Sequence, residues 1–143
     1  MKNKKKLIVD KYTQPIFYPC DLYVVKNGTK KDIQDLFMWA DEYEIRDDEV
    51  SDEGQGFTYS IMIKKDDPNK NFCIVIQLFP ENFDKGTKNS WLDVIAHEAN
   101  HAVFRILEHC HIKLTNDTTE VFAFMQGWVT RCVYTTLKKK SNE

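Results

Sequence analysis

The sequence lacks the features that would point to a particular partner or compartment. Its net charge is only −2 over 143 residues, so no surplus of one sign favours nucleic acid or a membrane surface. It has no apolar run long enough to span a bilayer, and Leu7-Ile8-Val9 is too short for the core of a signal peptide. We therefore expect neither a membrane nor a nucleic-acid partner, and a cytoplasmic protein, located in the host cytoplasm or the virion if a phage encodes it.

Cysteine is scarce and is not arranged for metal binding. The sequence has four cysteines and no Cys-x-x-Cys pair, and each cysteine sits among apolar residues, so we expect reduced and buried thiols. The tripeptide His109-Cys110-His111 contains ligand types, but adjacent residues of a helix point in different directions. We therefore expect no metal site there.

The length of the chain predicts a single domain over residues 1–143. With 42% hydrophobic residues it can bury one core. The basic segments at residues 1–6 and 138–143 are short, and we expect them to be frayed and solvated tails.

The most informative stretch runs from Trp91 to Leu107 and contains the motif His-Glu-x-x-His within a helical pattern. Residues four apart lie on one face of a helix, so His97 and His101 can direct a ring nitrogen at one ion, with Glu98 beside it. This is the geometry of a zinc site with an adjacent general base. The periodicity places both histidines opposite an apolar stripe, which disfavours the alternative that they are ordinary core residues. That predicted stripe consists of Leu92, Ala96, Ala99, Val103, Ile106, Leu107 and Cys110.

A catalytic zinc site usually has three protein ligands, so a third one is needed. Glu108 is about 10 Å from His101 along the axis of the helix and is too far away. Glu120 is the better candidate, because it opens a second predicted helix that can fold back after a break near residues 111–117. The small residues Ala123 and Gly127 share its side and would allow this helix to approach the histidines closely. The alternative is an ordinary acidic residue in the first turn of a helix.

The spacing supports a family resemblance. Eighteen residues separate His101 from Glu120, and the resulting HExxH-x18-E pattern resembles the gluzincin metallopeptidases, whose third zinc ligand is a Glu on the next helix. Asn116, Asp117, Phe122 and Ala123 match elements near that Glu in the aminopeptidase N-like branch. The resemblance covers only Trp91 to Arg131, and in size the chain is more similar to small stand-alone phage and prophage HExxH proteins. It implies one Zn²⁺ and a peptide or protein substrate, and a phage or host protein is a further possible partner.

The remaining chain predicts an α+β fold. A strand over residues 16–25 is followed by a helix capped by Thr29 that continues through Phe37 and Ala40. Two apolar runs, 57–63 and 72–79, predict a hairpin. Together with the resemblance, this order predicts a minimal zincin-like domain, with a small sheet of about three strands, the HExxH helix and a C-terminal helix. In zincins generally, an edge of the sheet pairs with an extended peptide substrate.

The functional hypothesis is a zinc-dependent peptide-bond hydrolase of the metalloendopeptidase type. His97, His101 and Glu120 would bind zinc, and Glu98 would take a proton from the attacking water. Asp93 is a candidate for orienting a ligand ring, and His109 or His111 could stabilise the oxyanion only if the chain bends there. The alternatives are a catalytically silent zinc-binding protein with a structural role in a phage or mobile element, and a DNA-associated or repressor-cleaving protease.

Overall fold

The structure is a computed structural model that describes residues 5–14, 20–83 and 90–140. Within these ranges the chain forms five β-strands and three α-helices. In chain order they are β1 (Ile8–Thr13), β2 (Asp21–Lys26), α1 (Lys30–Leu36), β3 (Phe37–Trp39), β4 (Gly56–Lys64), β5 (Phe72–Leu78), α2 (Ser90–His109) and α3 (Thr119–Leu137).

The five strands form one mixed sheet in the order β1-β2-β5-β4-β3. The central strands β2 and β5 are parallel, and every other neighbouring pair is antiparallel. Both central strands are almost continuously apolar because both faces of the sheet are covered. Leu22 and Val24 contribute to the core under α2 and α3, whereas Tyr23 and Val25 point to a second core on the opposite face.

The predicted minimal zincin-like domain with about three strands is wrong, because the sheet has five strands. The prediction missed β1, whose alternating residues are only half-buried at the edge of the sheet and include Asp10 and Lys11. It also missed β3, which it assigned to the preceding helix. The chain is α+β, and the predicted hairpin is present as β4 and β5. The first part of the predicted strand 16–25 falls at residues 16–19, outside the described residues.

Helix α1 begins as predicted and ends early. Thr29 caps it through a reciprocal pair of hydrogen bonds with Asp32. The backbone becomes extended at Phe37, which pairs with Lys64 of β4 and is completely buried. The Phe37 ring packs edge-on against Tyr23, with ring centroids 5.3 Å apart. The free energy gained by burying this aromatic ring in the second core is larger than the local preference of this segment for a helix.

Helices α2 and α3 lie antiparallel on one face of the sheet. At the end of β5 the backbone carbonyl of Leu137 accepts a hydrogen bond of 2.6 Å from Lys26, the residue that pairs with Leu78. At the start of β5, the His109 ring lies edge-on to Phe72. Helix α3 therefore ends where β5 ends, and α2 ends where β5 begins. The break predicted between the helices is present, and His111 there has a positive φ of 58°.

The ends of the described chain are tied to the sheet. Lys139 forms an ion pair of 2.6 Å with Asp10, which also accepts a hydrogen bond from the buried Thr136. Lys5 pairs with Glu81. Residues 1–4 and 141–143 of the predicted tails lie outside the described residues. None of the described helices is both long and apolar enough to cross a bilayer.

All four cysteines are free thiols, and Cys20, Cys73 and Cys132 are buried. Burial raises the pKa of Cys132 to about 11 and that of Cys20 to about 12. These side chains therefore remain protonated thiols that pack as small apolar groups.

We predict that Phe37→Ala lowers the free energy of unfolding by about 3–5 kcal/mol, because it leaves a cavity in the second core. Tyr43→Ala is the control, since Tyr43 is 72% exposed, and it should change stability by less than about 0.5 kcal/mol. Urea denaturation measures both values. Equal stability of the two variants would show that Phe37 is not a core residue.

Candidate functional site

The two histidines of the motif converge on the solvent side of α2. They lie one turn apart, and their Nε2 atoms are 3.1 Å apart, with ring centroids separated by 4.7 Å. Two imidazoles on a tetrahedral zinc ion would have their nitrogens about 3.4 Å apart, given bonds of about 2.0–2.1 Å. The observed pair therefore fits a shared divalent cation. The same distance also allows an N–H···N hydrogen bond when one ring carries its proton on Nε2.

Glu98 points towards the sheet and is 5% exposed. Its Oε2 atom accepts a hydrogen bond of 2.6 Å from the Thr58 hydroxyl on β4, and its Oε1 atom lies 3.9 Å from Nε2 of His97. Gly56 on the same strand leaves room for it, since a Cβ atom there would lie 3.1 Å from Cγ of Glu98. One carboxylate oxygen is thus anchored on β4 while the other faces the histidines.

The buried face of α2 differs from the predicted stripe. Val94, Ile95 and Glu98 are buried, whereas Leu92 is 62% exposed and Ala96 is also exposed. The helix packs against α3 on one side and against β4 on the other, so its buried arc extends further towards β4 than the apolar periodicity indicates. Glu98 is consequently the polar member of a buried face.

The structure does not bring Glu120 to the histidines. Glu120 is exposed, and just after it Phe122 packs on Phe104 of α2 with ring centroids 5.2 Å apart. Because the helices are antiparallel, Glu120 lies on one side of this aromatic contact and His101 on the other, about 7 Å apart along the axis. Across residues 5–14, 20–83 and 90–140, no three His, Cys, Asp or Glu side chains form a group that could hold a metal ion.

The small residues of α3 are not packed in a close contact with α2. Ala123 and Gly127 are exposed, and a Cβ atom added at Gly127 would meet nothing within 4 Å. The sequence suggested that these two small residues let α3 approach the histidines closely. In the described structure they do not have that role.

Two cavities lie between α2 and the outer part of the sheet, and together they are called the groove. A cavity of about 360 Å³ borders His97 and Glu98 and is also lined by residues 54–57, Asp93 and Val94. Further along α2, a cavity of about 680 Å³ is lined by residues 39–41, Ser60 and Ile61 on one side and by Arg105, Glu108, His109 and His111 on the other. His109, in the last turn of α2, and His111, in the bend that follows, thus both line this second cavity. Asp93 lines the cavity beside His97, where the sequence placed an orienting group.

One wall of this groove is a strand edge. Strand β3 pairs with β4 only over Met62–Lys64, so in the described chain residues 56–60 have no strand neighbour on that side. Tyr59 in this segment is turned to the second core, where its hydroxyl donates to Gln77 at 2.7 Å. Burial, together with the nearby Glu98 charge, raises the pKa of Tyr59 to about 12, so its hydroxyl stays protonated.

Sequence reasoning missed Thr58 and Gly56. They lie about forty residues before the motif, and nothing in their local pattern marks them. Only the pairing of β4 with β5 and the packing of α2 on that hairpin bring them to Glu98.

Comparison of the chain with protein-family models, with curated proteins and with solved structures gave no significant match.

We predict that Thr58→Val lowers the free energy of unfolding by about 1.5–3 kcal/mol, because a buried carboxylate loses its hydroxyl donor. Thr58→Ser keeps the hydroxyl and should stay close to the wild type. Chemical denaturation at pH 7 compares the three proteins. A Val variant as stable as the Ser variant would mean that Glu98 does not depend on this hydrogen bond.

Proposed function

We propose that the protein is a metal-dependent hydrolase of peptide bonds. In this proposal His97 and His101 hold a divalent cation, with zinc the best match to two imidazole ligands. Glu98 is the general base. The observation that carries the proposal is the convergence of the two Nε2 atoms, 3.1 Å apart, beside a buried carboxylate oxygen 3.9 Å from one of them.

The position of Glu98 suits proton transfer. Its Oε2 atom is held by Thr58, so the carboxylate does not rotate freely, while Oε1 faces the side on which the imidazoles meet. In peptide hydrolysis Oε1 would accept a proton from the attacking water and return it to the leaving nitrogen. A bound zinc ion supplies the Lewis acid that lowers the pKa of a water and polarises a carbonyl.

The groove supports an extended peptide as the substrate. The open edge of β4 over residues 56–60 presents backbone groups with which an extended chain can pair. The cavity bordering His97 and Glu98 lies next to this segment, so a peptide bound along the edge would pass close to the histidine pair. A cytoplasmic location belongs to the same proposal and is supported by the four free thiols, which are typical of a reducing compartment.

The proposal predicts that the wild type binds one zinc ion and cleaves peptides, and that His97→Ala and His101→Ala lose zinc binding. Glu98→Gln should keep zinc while losing at least about 100-fold in cleavage rate, because only the proton acceptor is removed. Asn100→Ala is the matched control on the exposed side of the same helix and should behave as the wild type. Calorimetric zinc titration and digestion of a quenched fluorescent peptide library measure the two properties.

The outcomes separate the proposal from its alternatives. Zinc binding without cleavage in the wild type would favour a silent zinc-binding protein. Cleavage that is equal in the wild type and Glu98→Gln would reject the catalytic role. Binding of DNA that weakens as salt rises would favour the DNA-associated protease.

The Glu120 assignment is tested by zinc affinity alone. In the described arrangement Glu120 is out of reach of the histidines, so we expect Glu120→Ala to bind zinc within about twofold of the wild type, with water or substrate completing the coordination. A loss of about tenfold or more, measured by competition with a chelator, would restore Glu120 as the third ligand and would mean that α3 shifts when the cation binds.

A further inference from the structure

Helix α3 has an exposed face that no residue within 5–14, 20–83 or 90–140 covers. The face is opposite the buried residues Met125, Val129 and Val133, and Phe124 on it is 54% exposed. Gly127 lies next to Phe124 on this face, with no atom within 4 Å of the position of a Cβ. The remaining members of the face are Glu120, Ala123, Arg131 and Tyr134, all of them exposed.

Nothing in the described part of the chain requires a glycine at position 127. A glycine in the interior of a helix costs about 1 kcal/mol relative to alanine. Its φ is not in the positive region, and no neighbouring side chain needs the space. A large aromatic ring exposed beside it adds apolar surface to the same spot. The ring of Phe124 projects from the surface of the helix, and the missing side chain of Gly127 leaves a depression beside it.

The order of residues along this face is self-complementary. Glu120 precedes Phe124 by four residues, and Gly127 precedes Arg131 by four residues. If two copies of α3 pack antiparallel about a twofold axis between residues 125 and 126, Phe124 of one copy lies opposite Gly127 of the partner subunit. Glu120 then lies opposite Arg131 of the partner subunit. Every contact occurs twice, as a closed symmetric dimer requires.

The charges fit the same pairing. Glu120 and Arg131 are about 16 Å apart along their own helix, so they cannot pair within one copy. Neither forms an ion pair with any other side chain in the described parts of the chain. The antiparallel arrangement gives each a partner of opposite charge, whereas a parallel arrangement would place like charges together.

We propose that the partner of this face is a second copy of the chain, bound through an antiparallel α3–α3 contact. The pairing brings Tyr134, 48% exposed, close to the loop that precedes α3 in the partner, where Leu114 is 54% exposed. A contact along one helix of about 28 Å buries less area than a standard stable interface. We therefore expect a weak dimer, with a dissociation constant on the order of 10 µM.

Sedimentation equilibrium of the full chain over about 1–200 µM tests the proposal. We expect the wild type to pass from monomer to dimer over this range. Glu120→Arg and Arg131→Glu should each weaken the dimer about tenfold or more, because each places like charges opposite each other twice. The double variant Glu120→Arg/Arg131→Glu should recover most of the affinity. Glu53→Arg is the control for charge reversal at an exposed position away from α3.

The substitution Gly127→Gln distinguishes an effect on the dimer interface from an effect on the stability of the fold. None of the described residues obstructs the new side chain, and glutamine is the better helix former. The melting temperature should therefore not fall, while the dimer should be lost. The readout is the oligomeric state and not zinc binding or cleavage, so failure of the hydrolase proposal would not affect this result. A wild type that stays monomeric at 200 µM, a dimer insensitive to Gly127→Gln, or no recovery in the double variant would each overturn the proposal.

Discussion

The arrangement of this protein depends on how α2 packs on the sheet. The helix must bury an apolar face against β5 and α3, and that burial orients all of its other residues. The buried arc extends far enough towards β4 to include Glu98, which would be a costly residue in a core without a partner. The Thr58 hydroxyl, 2.6 Å from its carboxylate, supplies that partner. The same rotation of the helix leaves His97 and His101 on the solvent side.

In the proposed hydrolase, this orientation separates metal binding by the histidines from proton transfer by Glu98 over a short distance. The histidines are accessible to an ion from solution, whereas the carboxylate is shielded and anchored, with one oxygen directed at them. A general base is useful when its geometry is set before the substrate arrives. The unpaired edge of β4 adds a surface for an extended chain beside the same residues. In the proposed hydrolase, binding, orientation and proton transfer would all depend on one packing contact between a helix and a hairpin.

The spacing between the motif and Glu120 suggested that α3 supplies a zinc ligand, but its contribution in the structure is different. It supports α2 through buried residues such as Met125 and Val129, and it is tied to β1 through Thr136. Its opposite face carries Glu120, Phe124, Gly127 and Arg131. In an antiparallel pair of these helices, Glu120 would lie opposite Arg131 and Phe124 opposite Gly127. The dimer that we propose would give Glu120 an ionic partner in a second subunit, and it would account for a glycine that the described part of the fold does not need.

The sequence by itself determined the local features: the Thr29 cap, the hairpin, the two long helices with a break between them, and the pairing of His97 with His101 one turn apart. These follow from short-range periodicity and capping chemistry. Only the tertiary structure decided that Phe37 belongs to a strand, that Ile8–Thr13 forms an edge of a five-stranded sheet, that Thr58 holds Glu98, and that Glu120 lies beyond the Phe104–Phe122 contact. Strand pairing and the axial offset of packed helices depend on residues far apart in the chain, which local periodicity does not contain.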